Sequence, residues 1–262
     1  MAFQGMTFVY GGISSDIYDL YIGGTDQKAI TSANASTNTE LVFDSVNGRS
    51  KNFIYGVKQT DTTLEFKMNI FCLNELTRYD VHVIDAWLFS NATPKPLIII
   101  QDDMTEFHYN AIFSKNEVLT HKGGVVYGFS CTVICDSAYA YDKEKTNTYA
   151  ISGETTIKFN NMSSGINYNY PKIEFKITKA NGQIVIKNES DNNRTFIMSD
   201  LSVNETISID EWFQIESSTG LNRLENCNKK WLRFKNGINI LKVSGDISAL
   251  KITHQNLKGI GS

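Results

Sequence analysis

The chain has 262 residues, 41% of them hydrophobic and 20% charged, a balance that supports a sizeable buried core. Its net charge is −3, no window approaches the roughly 18 consecutive apolar residues of a membrane span, and its basic residues are spread singly rather than clustered as phosphate recognition requires. Divided between Tyr149 and Ala150, the first part carries 11 basic against 17 acidic residues and the second 14 against 11, so the acid excess belongs to the N-terminal part. The opening residues Met1-Ala2-Phe3-Gln4-Gly5 contain neither a basic leader nor an apolar stretch, which predicts folding in a reducing cytoplasm and unmodified Asn-x-Ser/Thr triplets.

In chain order, Gly23 to Glu40 and then Asn47 to Asn52 are too polar to pack and predict a long exposed excursion of the kind that binds a partner. Residues 62–72 place Leu64, Phe66, Met68, Ile70 and Cys72 on one face and Glu65, Lys67 and Asn69 on the other, the alternation of a half-buried antiparallel strand. From Asn74 to Ser90 the period changes. Leu76, Tyr79, Val83, Ala86 and Trp87 fall at helical spacing, with Asn74 as the predicted cap and Pro94 and Pro96 beyond the end, giving one helix over about 74–90. Alternation returns through Phe107, Tyr109, Ala111 and Phe113, and again from Val125 to Cys135. Cys131 and Cys135 lie four apart on such a strand, about 13 Å between Cα atoms, far beyond disulfide reach, and read as core residues.

Between Ala138 and Ser152 the sequence turns polar before the strand pattern restarts. The predicted domains are therefore 1–146, strands plus the lone helix, and 150–262, a second sandwich of seven or eight short strands with a galectin-like or jelly-roll pattern. Ile173, Phe175 and Ile177, then Ile184 and Ile186 after an Asn181-Gly182 turn, carry its alternation. The pattern leaves open whether Ile247 to Ile260 completes the second sandwich or returns to the first. The fold class is mainly β, two β-sandwich domains.

Chemistry finds little foothold. Asp102, Asp103 and Glu106 cluster at a predicted hairpin tip, where turns also favour Asp. His82, His108, His121 and His254 are scattered, and no His-x3-His, Gly-x-Ser-x-Gly or phosphate loop occurs. No enzyme, cofactor or metal site is expected. If the second domain binds sugars, Trp212 and Trp231, with Tyr168 and Tyr170, are the available stacking platforms.

The order of parts resembles the distal tail protein (Dit) family of long-tailed bacteriophages. Phe8 to Ile22 looks like that family's opening strand, Ser-Ser-Asp turn and second strand. Asp85-Ala86-Trp87-Leu88 and then Pro96 to Asp103 are similar to its helix end and following strand, and Phe129 to Tyr141 to the close of its first domain, with Ala138 where Pro is frequent. In the second half, Tyr170-Pro171-Lys172-Ile173 and Phe234 to Gly245 resemble its later strands, Asn236 replacing Pro before the Gly-x-Asn turn. The resemblance implies a virion protein, made in the host cytoplasm and built into the tail tip. There it forms a homohexameric ring between the tail tube protein and the tail hub or baseplate, with receptor-binding proteins as further partners and phage DNA passing through unheld. An acidic N-terminal part suits such a lumen. A carbohydrate-binding module aiding host adhesion is the alternative reading, and a tail-derived injection or transfer particle would look the same in sequence.

Overall fold

The computed structural model describes residues 7–23, 39–59, 63–101, 105–120, 124–165 and 167–259. Two compact units emerge, Met1–Tyr141 with Gly259–Ser262, and Asp142–Lys258.

The first unit contains β1 (Thr7–Tyr10), β2 (Ile13–Ser14), a 3-10 turn (Ser15–Tyr18), β3 (Leu20–Gly23), β4 (Thr39–Asp44), β5 (Phe53–Gln59), β6 (Glu65–Leu76), α1 (Arg78–Leu88), β7 (Lys95–Ile100), β8 (Phe107–Thr120), β9 (Val126–Cys135) and β10 (Ala140–Asp142). One antiparallel sheet runs β2-β1-β7-β8-β9-β6-β3, with β10 beside β8. The period-two pattern decides which face turns inward: Leu64, Phe66, Met68 and Ile70 from β6 and its approach, Tyr109, Ala111 and Phe113 from β8, and Phe129, Cys131 and Val133 from β9 are all buried in one cluster with Phe8, Tyr10 and Trp87. Where β9 crosses β6 the backbones approach so closely that a Cβ at Gly128 would collide with the Ile70 carbonyl oxygen. Glycine is the residue that permits this pairing.

The helix is shorter than its apolar spacing suggested. Asn74 lies in β6, and Thr77 is the cap: its hydroxyl accepts from the Asp80 amide while the Asp80 carboxylate accepts from the Thr77 amide at 2.9 Å, a reciprocal box that starts the helix at Arg78. The helix is laid on the core by Trp87. Its ring stacks on Phe8 at 5.8 Å and 1°, and its indole N–H donates to the Tyr10 carbonyl at 3.1 Å. Lys115 on β8 bridges to Asp85 at 2.6 Å and sits 5.0 Å over the Phe129 ring, tying helix to sheet from the other side.

The second unit pairs a five-stranded sheet, β11-β19-β13-β16-β17, with a four-stranded sheet, β12-β18-β14-β15. Its strands are β11 (Lys145–Ala150), β12 (Thr155–Asn161), β13 (Lys172–Ile177), β14 (Gly182–Asn188), β15 (Arg194–Leu201), β16 (Thr206–Ile209), β17 (Ile215–Ser217), β18 (Gly237–Gly245) and β19 (Ile247–His254). The inward residues of both sheets, among them Ile173, Phe175, Ile184, Ile186, Leu241 and Leu250, make one core, a sandwich arrangement. At Gly245 (φ +138) an added Cβ would meet the Gln183 carbonyl oxygen, so the β14–β18 crossing also requires glycine.

The division falls at Tyr141/Asp142 rather than between 146 and 150. Polarity misplaced it: Lys145–Ala150 is exposed along most of its length, yet it is a full edge strand hydrogen-bonded to β19 from Lys145↔His254 to Ala150↔Ala249. The same ladder answers where the C-terminal strand belongs, since β19 lies inside the second unit between β11 and β13. Residues 24–38 of the polar excursion, and Asp102, Asp103 and His121, lie outside the described residues. Among the described residues no helix is long and apolar enough to cross a membrane.

Candidate functional site: an uncovered apolar hairpin

Among the described residues, strands β4 and β5 pair only with each other. Their register runs Thr39↔Gln59 through Leu41↔Val57 to Asp44↔Phe53, with an irregularity between Val42 and Phe43. The connecting segment contains the polar Asn47 to Asn52. Locally the hairpin is held by side chains: the Tyr55 hydroxyl donates to Asp44 at 2.9 Å, and the Arg49 guanidinium stacks 4.3 Å over the Phe53 ring.

A two-stranded ribbon buries too little by itself to be stable in water. This one nevertheless carries an apolar surface fit for a core. Leu41, Val42, Phe43, Val46, Phe53, Ile54, Tyr55 and Val57 are each 45–68% exposed, and none belongs to either core cluster. Scattered single apolar residues on a surface need no explanation, but eight on one hairpin mark an interaction surface. The polar segment Asn47 to Asn52 was legible as exposed. Its flanks were not, because short runs such as Leu41-Val42-Phe43 look like buried strands and only the tertiary structure leaves them open.

The other candidates are dispersed. Glu106 and His108 fall in a turn and in β8, His108 stacking on Tyr141 at 5.6 Å. His82 is exposed on α1, and His254 is buried at the end of β19 with its ring edge-on to Phe159. Among the described residues no three His, Cys, Asp or Glu side chains form a metal-sized group. The four cysteines are free thiols; burial pushes Cys131 and Cys135 up to about 12, so neither is a ready nucleophile.

The displaced ionisable groups of the second unit serve its loops. Glu205 is 1% exposed. Burial alone would raise its carboxyl, but hydrogen bonds from Arg223, Ser217 and the Ser202 amide, with the Arg223 charge, outweigh burial and hold it at about 2. Arg223 binds it as a fork, Nε at 2.8 Å and Nη2 at 2.7 Å. Arg233 similarly grips the buried Asp191 at 2.7 Å while lying 3.5 Å over Tyr168. The two tryptophans separate. Trp231 packs against the core, its ring stacked on Phe213 at 5.2 Å and 9°, whereas Trp212 is 75% exposed; Tyr170 meets Phe213 edge-on at 5.0 Å.

The sequence matches a family model described as phage tail protein N-terminal domain over residues 3–137 and one described as phage tail C-terminal domain over residues 139–254. No curated protein matches it. Among solved structures it is similar to the crystal structure of SPP1 Dit, described as a paradigm of the hub adsorption apparatus in phages infecting Gram-positive bacteria, with a TM-score of 0.63 and 12% identity over 95% of this chain and 98% of that one. Two structures of the phage p2 baseplate in its activated conformation, with Ca and with Sr, align at TM-scores of 0.48 and 0.49 and 11% and 10% identity, covering 91% and 95% of this chain and 90% and 97% of theirs. The SPP1 Dit likeness is one of fold.

Proposed function

The chain belongs to the phage tail protein family, and on that premise we propose that it is a structural component of the tail tip, assembled as a ring of six copies between the tail tube protein and the tail hub. The observation that carries this reading is the hairpin β4–β5. A single copy leaves its eight apolar side chains in water, and a second copy of the chain is the partner guaranteed to be present wherever the first one is. In a ring the hairpin of each copy docks on a different patch of the next, a heterologous contact that closes when the rotation allows. Six is the number that the resemblance to distal tail proteins implies. The acid excess of the N-terminal part, 17 acidic against 11 basic residues, supports a conduit through which DNA slides without being held. Scaffold chemistry suffices for this role, and we assign the protein no catalytic step, no cofactor and a place in the virion.

The test is the mass of the full chain in sedimentation from micromolar to near-millimolar concentration. The expected species is about six times the 29.5 kDa protomer, reverting to the protomer in the double variant Ile54→Asp/Val57→Asp with unchanged circular dichroism. A native chain that stays monomeric throughout, or an oligomer indifferent to those charges, refutes the reading.

A further inference from the structure

The opening and closing parts of the second unit meet at one carboxylate. Asp142 opens the unit, Lys145 begins β11, and Asn256 follows the end of β19. Asp142 Oδ2 accepts from the Lys145 ammonium at 2.7 Å and from the Asn256 side-chain amide, also at 2.7 Å. The amine and amide nitrogens therefore lie within twice that distance of each other. Asp142 is held in this position by its other oxygen, Oδ1, which accepts from the Asn256 backbone amide at 2.7 Å. The Asn256 side-chain carbonyl accepts from the Met162 amide at 3.0 Å. Asp142 and Asn256 are buried, and Lys145 reaches them from the surface with its side chain half exposed. His254, opposite Lys145 in the ladder, is buried as well, its ring edge-on to Phe159 at 4.4 Å.

The geometry points to a spontaneous covalent cross-link, an isopeptide bond between Lys145 Nζ and Asn256 Cγ, formed once per chain after folding. An ion pair needs only Lys145 and Asp142; the asparagine on the same oxygen and the amide donor on its carbonyl are what the reaction requires in addition. Lysine is a nucleophile once its ammonium is deprotonated, and Asp142 stands within reach of that proton. Burial raises the Asp142 carboxyl, but the hydrogen bonds from Lys145 and Asn256 and the Lys145 charge outweigh burial, so it is ionised and serves as the base. Freed of one proton, Lys145 Nζ attacks Asn256 Cγ. The carbonyl double bond opens and places negative charge on Oδ1, where the Met162 amide already donates. Asp142 gives its proton to Nδ2 as the Cγ–Nδ2 bond breaks, accepts the second proton of the attacking amine, and releases it to the ammonia, which leaves as ammonium. The sum is Lys–NH3+ plus Asn–CONH2 giving Lys–NH–CO–Asn plus NH4+, and no co-reactant is consumed. Placement within one folded chain supplies the effective concentration. One event per chain is not turnover, so the scaffold role stands as it is. The bond ties the strand that opens the unit to the segment after β19, and it is independent of ring assembly because its residues all lie in the second unit.

The experiment is intact-mass spectrometry of the full chain, fresh and after incubation in mildly alkaline buffer, followed by tryptic mapping. The expected product is lighter by one ammonia, about 17 Da. Its digest contains a branched peptide joining Lys145 to Asn256, with no cleavage after Lys145. Lys145→Arg keeps the ion pair and Asp142→Asn removes the base; both should retain the full mass with native circular dichroism. The Asn-Gly pairs at Asn47, Asn181 and Asn236 can also lose ammonia, as succinimides, so the branched peptide is the decisive readout. An incubated chain at full mass, a mass loss that persists in Lys145→Arg, ordinary cleavage after Lys145, or a cross-link that survives Asp142→Asn would each overturn the inference.

Discussion

Replacing Arg223 by alanine isolates one interaction whose worth can be worked from the structure. Glu205 is 1% exposed, held by the Arg223 fork at 2.7–2.8 Å, by the Ser202 amide at 2.8 Å and by the Ser217 and Thr219 hydroxyls. Against the upward push of burial, its hydrogen bonds and the Arg223 charge hold the carboxyl at about 2 against an ordinary value of 4.5; at 1.36 kcal/mol per pH unit the folded state gains about 3 kcal/mol from the ionised form. Removing the guanidinium strands a charge in a buried site, a loss of the same size or somewhat greater. With a urea dependence of about 1.3 kcal/mol/M for a unit of this size, the midpoint of the second unit should fall by about 2 M. Hydrogen exchange by mass spectrometry across a urea series reads the two units separately, and the first unit serves as the control. The sign with pH follows from a depressed folded value: the stabilisation is complete above about 4.5 and drains away as pH falls toward 2. The gap between native and variant chains should therefore be widest at neutral pH and narrow in acid. A gap that stays constant from pH 7 to 2.5, or a variant with the native midpoint at pH 7, would refute the reasoning.

Other outcomes follow from the packing. Trp87→Ala deletes the stack on Phe8 and the bond to the Tyr10 carbonyl, and should cost the first unit about 3–5 kcal/mol in the same exchange assay. Thr77→Ala removes the cap of α1 and should accelerate exchange at the first-turn amides with a loss of about 1 kcal/mol, leaving the rest of the sheet protected. Cys131 and Cys135, pushed up to about 12, should be silent to a thiol reagent at pH 8 in the folded chain and react fully in urea, with the partly exposed Cys72 labelled first. Gly128→Ala forces a side chain into the Ile70 carbonyl and should yield insoluble or unfolded chain, measured as loss of soluble expression.

What could be read from residues alone was whatever the physics makes local. Alternation at Leu64, Phe66, Met68 and Ile70 predicts an inward face because strand geometry has a period of two, and those four side chains are buried. The strands of Ile173 to Ile177 and Ile184 to Ile186 follow for the same reason. The start of α1 was misjudged because Asn74 and Thr77 are both acceptable caps; what chooses between them is the Asp80 partner three residues on and the continuation of β6 through Leu76. The boundary of the second unit was blurred because an edge strand such as Lys145–Ala150 is as polar as a linker. Long-range features gave no local signal. Glu205 and Arg223 are 18 positions apart, and the exposure of Leu41, Val42 and Phe43 is a fact about what the other described residues leave uncovered. Trp212 and Trp231 illustrate the same limit: equal as residue types, they are separated by the backbone turn at Phe213.

The pairing of β11 with β19 has a consequence for biosynthesis. The strand that opens the second unit, β11, is zipped along its length to β19 near the unit's end, while β13 waits on the other side of β19 for the same partner. On a ribosome adding roughly 5–20 residues per second, the five-stranded sheet stays open, with its apolar face uncovered, until Ile247–His254 has left the exit tunnel. The second unit therefore cannot close before Ile247–His254 is available, and a nascent chain halted before Ile247 is a client for chaperones.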